Sequence, residues 1–288
     1  MNAFDYRAPR TLEEALAILG EHGDDARVIA GGTALVTMMR QRLVRPGCLV
    51  SLRDVSGLDR IEVANGTLRL GALVTHREAE TSPLVRERIP VLAETFRRVA
   101  TVRIRHMATV GGALAHADPN QDPPVTLSAL GARVQVSGAG GEREMAVGEF
   151  FRDYYESALE PGELVTGVSV PVPPAGSGAS FVKFLPRTTD DYATVAVAAI
   201  VTLDGDRCRD ARIALGSVGV TPLRGRAAEA LLSGERISQR LLDAAGEAVK
   251  AEVDPLSDHR GSAAYKREMA AVMVKRALTQ AWEAARRP

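Results

Sequence analysis

The chain has 288 residues, 45% of them hydrophobic and 25% charged, with a formal net charge of zero. This is ordinary globular usage, enough for two domains and a sizeable core, and its neutrality argues against broad attraction to nucleic acid or anionic membrane. Cys48 and Cys208 lie far apart with no C-x-x-C spacing, so this chain alone offers neither iron–sulfur nor zinc ligation, and two buried, reduced thiols are expected. The start, Met1 to Tyr6, has no basic and apolar leader pattern, and the most apolar run, Ala193 to Leu203, is too short to span a bilayer. A cytoplasmic location is expected.

Thr11-Leu12-Glu13-Glu14 has capping-box spacing, and Leu12, Ala15, Leu16 and Leu19 recur at helical intervals, so a helix is predicted to about Gly20. Arg27 to Ala30 reads as a buried strand that feeds a Gly31-Gly32 turn. Leu35, Met38, Met39 and Leu43 then suggest a helix, with both methionines as core filler. Leu49 to Leu52 is a short strand. Asn65-Gly66 between two alternating runs signals a hairpin. Thr75 to Glu78 is a second capping box, which leaves His76 as a helix-start or surface residue, and His106 is read the same way. Pro90 to Ala100 is predicted helical, with Leu92, Ala93, Phe96, Val99 and Ala100 on its buried face.

The stretch Val102-Arg103-Ile104-Arg105-His106 is locally basic. It suits a diphosphate, a protein partner or simply solvent. A second glycine pair, Gly111-Gly112, follows about 80 residues after the first. Val125 to Leu130 reads as a helix. Arg133 to Val136, Arg143 to Val147 and Leu164 to Val170 read as strands. Pro171 to Gly178 breaks the composition and marks a domain boundary. Beyond it come strands at Ser180–Leu185, Thr194–Leu203 and Ala211–Val218, then helices near Arg226–Leu232, Ser238–Val253 and Ser262–Ala285. That order points to an antiparallel sheet under a helical layer, an α+β unit.

Both glycine pairs place a short apolar run before Gly-Gly and a hydroxyl or small residue beside it. A lone Gly-Gly ordinarily marks a tight turn. Neither pair fits the G-x-G-x-x-G or G-x-x-x-x-G-K-[ST] patterns, so spacing alone indicates only an anion cradle of backbone amides.

The pairs Val28 to Leu35 and Ala108 to Pro119, together with Lys183 to Arg187, Asp191-Tyr192-Ala193, Asp258 to Ser262, Tyr265-Lys266 and Lys275 to Leu278, resemble the flavin-binding (medium) subunit of the molybdenum hydroxylases. That family includes xanthine dehydrogenase, aerobic carbon monoxide dehydrogenase and N-heterocycle dehydrogenases. The resemblance covers nearly the whole chain. It implies a two-part, vanillyl-alcohol-oxidase-like FAD-binding domain over residues 1–175, with parts at about 1–54 and 55–175. A small α+β domain with a three-stranded antiparallel sheet and a helical layer is implied over 176–288.

Carried over residue by residue, the resemblance nominates Ala30, Gly31, Gly32, Thr33, Ala34 and Leu35, and Thr109, Val110, Gly111, Gly112 and Ala113, for the FAD diphosphate and ribityl chain. Asp122 matches an acid that accepts hydrogen bonds from FAD hydroxyls. Val165, Lys183 and Tyr192 match positions beside the isoalloxazine ring, with the Lys183 ammonium stabilising reduced flavin. Asp118 is read as shaping its turn. Many relatives carry a polar residue in place of Ala34 and Asn in place of Ala113. Two lost hydrogen bonds weaken binding by roughly tenfold to a hundredfold.

The function implied is an FAD-binding electron-transfer subunit with no catalytic acid–base residue and no metal ligand of its own. It takes electrons from a [2Fe–2S] small subunit, beside a molybdopterin-binding large subunit, in a dimer of heterotrimers. It delivers them to NAD, oxygen or a quinone. Two other readings compete: a stand-alone flavoprotein oxidoreductase, and a scaffold or assembly protein derived from such a subunit.

Overall fold

The structure, a computed structural model, describes residues 3–188 and 190–287. Met1 and Asn2 of the N-terminal stretch read above lie outside them. The first unit comprises β1 (Asp5–Arg7), α1 (Leu12–His22), β2 (Ala26–Ile29), α2 (Leu35–Arg40) and β3 (Cys48–Ser51). Both β1 and β2 run parallel to the central β3. Ala15 and Leu19 of α1 close over Cys48 and Val50 to make a small core. Thr11 caps α1 by accepting from the Glu14 amide at 3.2 Å, while the Glu14 carboxylate takes the Arg10 N–H at 2.7 Å. The expected capping box therefore closes one residue early. Helix α2 stops at Arg40 and leaves Leu43 71% exposed, so Leu43 belongs to no buried face.

The second unit starts with the hairpin of β4 (Ile61–Ala64) and β5 (Thr67–Gly71). Asn65 and Gly66 sit at φ 50° and 73°, the primed turn that matches strand twist. Six short helices follow: α3 (His76–Thr81), α4 (Pro83–Arg88), α5 (Pro90–Arg97), α6 (Val102–Met107), α7 (Val110–His116) and α8 (Asp122–Leu130). Then come β6 (Arg133–Gly138), β7 (Gly141–Ala146), α9 (Val147–Phe150), the small ribbon of β8 (Phe151–Asp153) and β9 (Glu156–Ser157), and β10 (Leu164–Pro171). The sheet order is β4-β5-β10-β6-β7, antiparallel throughout. Leu68, Leu70, Val134, Val136, Val168 and Val170 line one buried face, as period-two alternation requires. The Thr75–Glu78 box on α3 is reciprocal, as its spacing predicts.

The third unit is a sheet of β11 (Ser177–Phe184), β12 (Val195–Asp204), β13 (Arg207–Gly216) and β14 (Leu223–Arg224), covered by α10 (Arg226–Leu232), α11 (Gln239–Ala248) and α12 (Ala263–Ala285). The three expected strands are present, and the two-residue β14 is added at one edge. Ala196, Ala198 and Ile200 of β12 pack on the core of the second unit, while Val195, Val197, Ala199 and Val201 pack under the helices. A strand buried on both faces reads as a continuous apolar run, which explains the stretch from Ala193 to Leu203. Helix α8 is clamped between this sheet and α5, so all of its residues are buried.

Inside that clamp Thr95 donates to the Val91 carbonyl at 2.8 Å and its oxygen lies 2.7 Å from the Thr126 hydroxyl, joining α5 to α8. Replacing Thr95 by Val strands the Thr126 hydroxyl in the core. Urea denaturation should show a loss of about 1–3 kcal/mol for Thr95→Val, with part of it recovered in the Thr95→Val/Thr126→Val double variant. Equal losses in single and double variants would contradict the pairing.

Candidate functional site

A cleft of about 730 Å³ runs between the first unit, the mouth of the second and the end of β11. Its first wall is the loop from Ala30 to Leu35. Gly31 passes so close to the Met107 carbonyl that a Cβ there would overlap it, and Gly32 sits at φ +70°. Both positions therefore require glycine. Among the described residues, the amides of Gly31, Gly32, Thr33, Ala34 and Leu35 have no hydrogen-bond partner, while the Gly32 and Ala34 carbonyls accept from Val36 and Met38 to open α2. Five consecutive open amides at a helix start are a donor set of the kind that suits an anion.

The second glycine pair is built differently from the bend its sequence suggests. Thr109 accepts the Gly112 amide at 3.1 Å and so nucleates α7, which places Gly111 and Gly112 in the first helical turn. The Val110 amide donates to the Val74 carbonyl and the Gly111 amide to the Ala72 carbonyl, both at 2.9 Å, and the Ala113 amide is taken by Thr109. These amides are committed internally. The glycines serve shape instead. A Cβ on Gly111 would meet Ala72 at 2.5 Å, and one on Gly112 would crowd the Thr109 hydroxyl at 2.8 Å and lie 3.9 Å from the Ala30 Cβ. The two segments thus face one another across the cleft. Thr109, Gly111, Gly112 and Ala113 line it, but Val110 turns into the core instead.

The remaining nominated residues also line the cleft: Asp122, Val165, Lys183 and Tyr192. Lys183 is not a free cation. Its ammonium pairs with Asp122 Oδ2 at 2.7 Å and donates to the Arg98 carbonyl at 3.0 Å, fully enclosed. Asp122 Oδ1 is buried with no partner. Burial raises the Asp122 carboxyl to about 6 against the pull of Lys183. Tyr192, 45% exposed, donates its hydroxyl to Asp118 Oδ2 at 2.9 Å. Asp118 therefore does more than shape its turn. Arg260 lies 5.4 Å over the Tyr192 ring and is held by Asp258 at 2.9 Å, which also takes Lys266. The Asp258-to-Lys266 motif thus braces Tyr192 from outside the cleft.

Sequence reasoning missed several lining groups. Met38 faces the cleft while only Met39 is buried in a core. Val99 and Ala100 lie beyond the end of α5 and form part of the wall, Ala100 at φ 37°. Tyr155, at φ 57°, tips the β8–β9 ribbon and packs on His116 at 5.2 Å. The nearest sequence signal is the paired Tyr154-Tyr155 in a short polar turn. His76, read as a helix-start or surface residue, does open α3 but is 3% exposed and packs on Phe96 at 5.1 Å. Neither of its ring nitrogens has a partner among the described residues. No group of three or more His, Cys, Asp and Glu side chains among the described residues is placed to hold a metal ion. Likewise no described helix is long and apolar enough to cross a membrane.

A run of open amides lining a cleft opposite a glycine-opened helix is a donor set suited to an anion such as the diphosphate of a nucleotide cofactor. Comparison with known proteins narrows this. Residues 2–173 match the family described as FAD binding domain in molybdopterin dehydrogenase, and residues 180–281 match CO dehydrogenase flavoprotein C-terminal domain. The chain is 38% identical to the carbon monoxide dehydrogenase medium chain of Afipia carboxidovorans, over 97% of this chain and 96% of that one. It is 39% identical to the 6-hydroxypseudooxynicotine dehydrogenase complex subunit alpha of Paenarthrobacter nicotinovorans, over 99% and 96%. A solved structure of reconstituted CO dehydrogenase from Oligotropha carboxidovorans superposes with a TM-score of 0.95 at 37% identity, covering 98% of this chain and 99% of that one. The chain belongs to the FAD-binding medium subunits of the molybdenum hydroxylase family, and it is an oxidoreductase subunit.

Burial pushes the His76 imidazole down to about 4. The folded chain thus keeps His76 neutral while the unfolded chain protonates it near its ordinary value. This contribution to stability is full above pH 6.5 and is lost as pH falls toward 4, by about 3 kcal/mol. Asp122, whose raised carboxyl takes up a proton on acidification, works in the opposite direction. The comparison that isolates His76 is denaturation of His76→Phe against the native chain between pH 7 and 4, where the variant should lose less stability. Parallel curves would contradict a buried neutral imidazole.

Proposed function

We propose that the cleft holds one FAD with its diphosphate on the open amides of Gly31 to Leu35, and that the chain relays electrons between a partner subunit and an external acceptor. The observation that carries this reading is the run of unpartnered amides in a cleft-lining loop, next to Ala30, whose side chain lies 3.9 Å from where a Gly112 Cβ would stand. The buried, partnerless Asp122 Oδ1 fits a ligand hydroxyl donor, since an acceptor left unpaired in the folded chain is otherwise costly. Ala30, Thr33, Ala34, Leu35, Thr109, Gly111 and Ala113 complete the cradle. Val110 supports it from the core. Val165, Lys183 and Tyr192 lie at the end assigned to the ring.

Bound FAD would supply the redox chemistry, accepting electrons singly and releasing them singly or in pairs. The protein's own task is to bind, orient and shield. Residues 1–175 form the FAD-binding domain, with parts at 1–54 and 55–175. Residues 176–288 close the cleft through Lys183 and Tyr192. With Lys183 neutralised by Asp122, the ring end of the cleft carries less positive field than a lone ammonium would give it. The partners in this reading are a molybdopterin-binding large subunit and a [2Fe–2S] small subunit, in a dimer of heterotrimers in the cytoplasm. The acceptor is NAD, oxygen or a quinone.

Fluorescence titration of the purified, flavin-free chain with FAD tests the reading. One equivalent should bind. Gly112→Ala should weaken binding by at least about tenfold by filling the gap, with little change in the unfolding midpoint. That balance follows because a helical gain of ~1 kcal/mol offsets a displaced Thr109 cap. Undiminished binding by Gly112→Ala would move the diphosphate elsewhere. Affinity should also be constant above pH 7 and fall as pH drops through about 6, where Asp122 takes up a proton. Asp122→Asn should bind more weakly at pH 8 and lose that dependence. A persistent acid limb in Asp122→Asn would assign it to another group.

A further inference from the structure

The basic stretch from Val102 to His106 reaches the cleft wall through Ile104, and one of its arginines is nearly enclosed. Arg105, on α6, has a side chain 12% exposed and anchored to the buried carboxylate of Glu80 on α3, Nε to Oε2 at 2.9 Å. Arg77 holds the other Glu80 oxygen at 2.8 Å. The Arg105 Nη1 donates to two successive carbonyls, Val99 at 2.8 Å and Ala100 at 2.9 Å. The carbonyl just before them, that of Arg98, accepts from the Lys183 ammonium. Three consecutive carbonyls at the end of α5, which have no helical partner there, are thus claimed by two cations. The turn that presents them places Ala100 at φ 37°, a conformation a non-glycine residue keeps only when its surroundings impose it.

These contacts form an unbroken chain from α3 to the cleft: Glu80, Arg105, the 98–100 carbonyls, Lys183, Asp122. We propose that Arg105, fixed by Glu80, is a positioning residue for the cofactor site. It clamps the Arg98–Ala100 turn, which both forms cleft wall and aims the Lys183–Asp122 pair. This rests on the reading of the cleft as the FAD site. Lysine at position 105 keeps the charge but lacks the planar fork that reaches Glu80 and two carbonyls together. With the turn loosened, Lys183 loses a fixed partner and holds Asp122 less tightly. The groups that reach Asp122 are Lys183 from β11 and Arg98 from the end of α5. Weakening the first leaves burial to dominate, so the Asp122 carboxyl should titrate at a higher pH.

The test is FAD titration across pH 5 to 9 with the full chain and with Arg105→Lys, Glu80→Gln and Arg103→Ala, each checked for folding by circular dichroism. Arg103 is the exposed neighbour on the same helix. Arg105→Lys and Glu80→Gln should each bind FAD about tenfold more weakly, and the acid limb of binding should move to higher pH. Arg103→Ala should match the native chain in both. A general loss of packing would lower affinity without moving the acid limb. That result, or native affinity in both Arg105→Lys and Glu80→Gln, would overturn the proposal. If either variant fails to fold, the other decides. Failure of the native chain to bind FAD would overturn the cleft reading and this proposal together, whereas native binding with unaffected variants overturns this proposal alone.

Discussion

Everything at the site depends on one close approach of bare backbone. Gly31 lies against the Met107 carbonyl with no room for a Cβ, and this contact sets the first unit beside the start of α7. A larger residue at position 31 would push the loop away and widen the gap that Gly112 faces. The loop keeps its amides open because its own carbonyls, not its N–H groups, start α2. The opposite wall is closed to hydrogen bonding by Thr109, Ala72 and Val74. One wall therefore offers donors, and the other offers shape. In the proposed reading this asymmetry puts the diphosphate contacts on one wall, where the two similar glycine pairs suggest that both walls share them.

Electrostatics completes the far end. The C-terminal end of α5 carries carbonyls that seek cations, and Arg105 and Lys183 supply them. Lys183 in turn makes an ionised Asp122 tolerable in a fully buried position, where an uncompensated charge would cost several kcal/mol. The third unit thus contributes to the cleft through two clasps, Lys183 on Asp122 and Tyr192 on Asp118. Both grip the short segment between α7 and the start of α8. The C-terminal sheet is thus tied to the cleft wall at two points.

Much of the architecture is legible in the sequence because strong local signals agree with tertiary demand. Asn65-Gly66 dictates its hairpin, Thr75 and Glu78 their cap, and the apolar run of β12 its burial on two faces. The small elements are not legible. Strands β8, β9 and β14 have two or three residues each, too few to show a period. Helix α6 leaves Val102, Ile104 and Met107 exposed, so it has no apolar stripe to read. At the site, residue types point to the cleft but not to their use. The two glycine pairs look alike in sequence, yet Thr109 caps a helix where Thr33 does not. The burial of His76, the pairing of Lys183 and the anchoring of Arg105 each depend on a residue 20 to 85 positions away. No local pattern encodes such distances.

The central claim is that the amides from Gly31 to Leu35 receive the diphosphate. Residue-resolved amide hydrogen exchange of the chain with and without FAD addresses it directly. These amides should exchange rapidly in the flavin-free chain and slow markedly when FAD is bound. Those of Val110 to Ala113 should already be protected in both states. Unchanged exchange from Gly31 to Leu35, or protection gained only at the start of α7, would contradict the account.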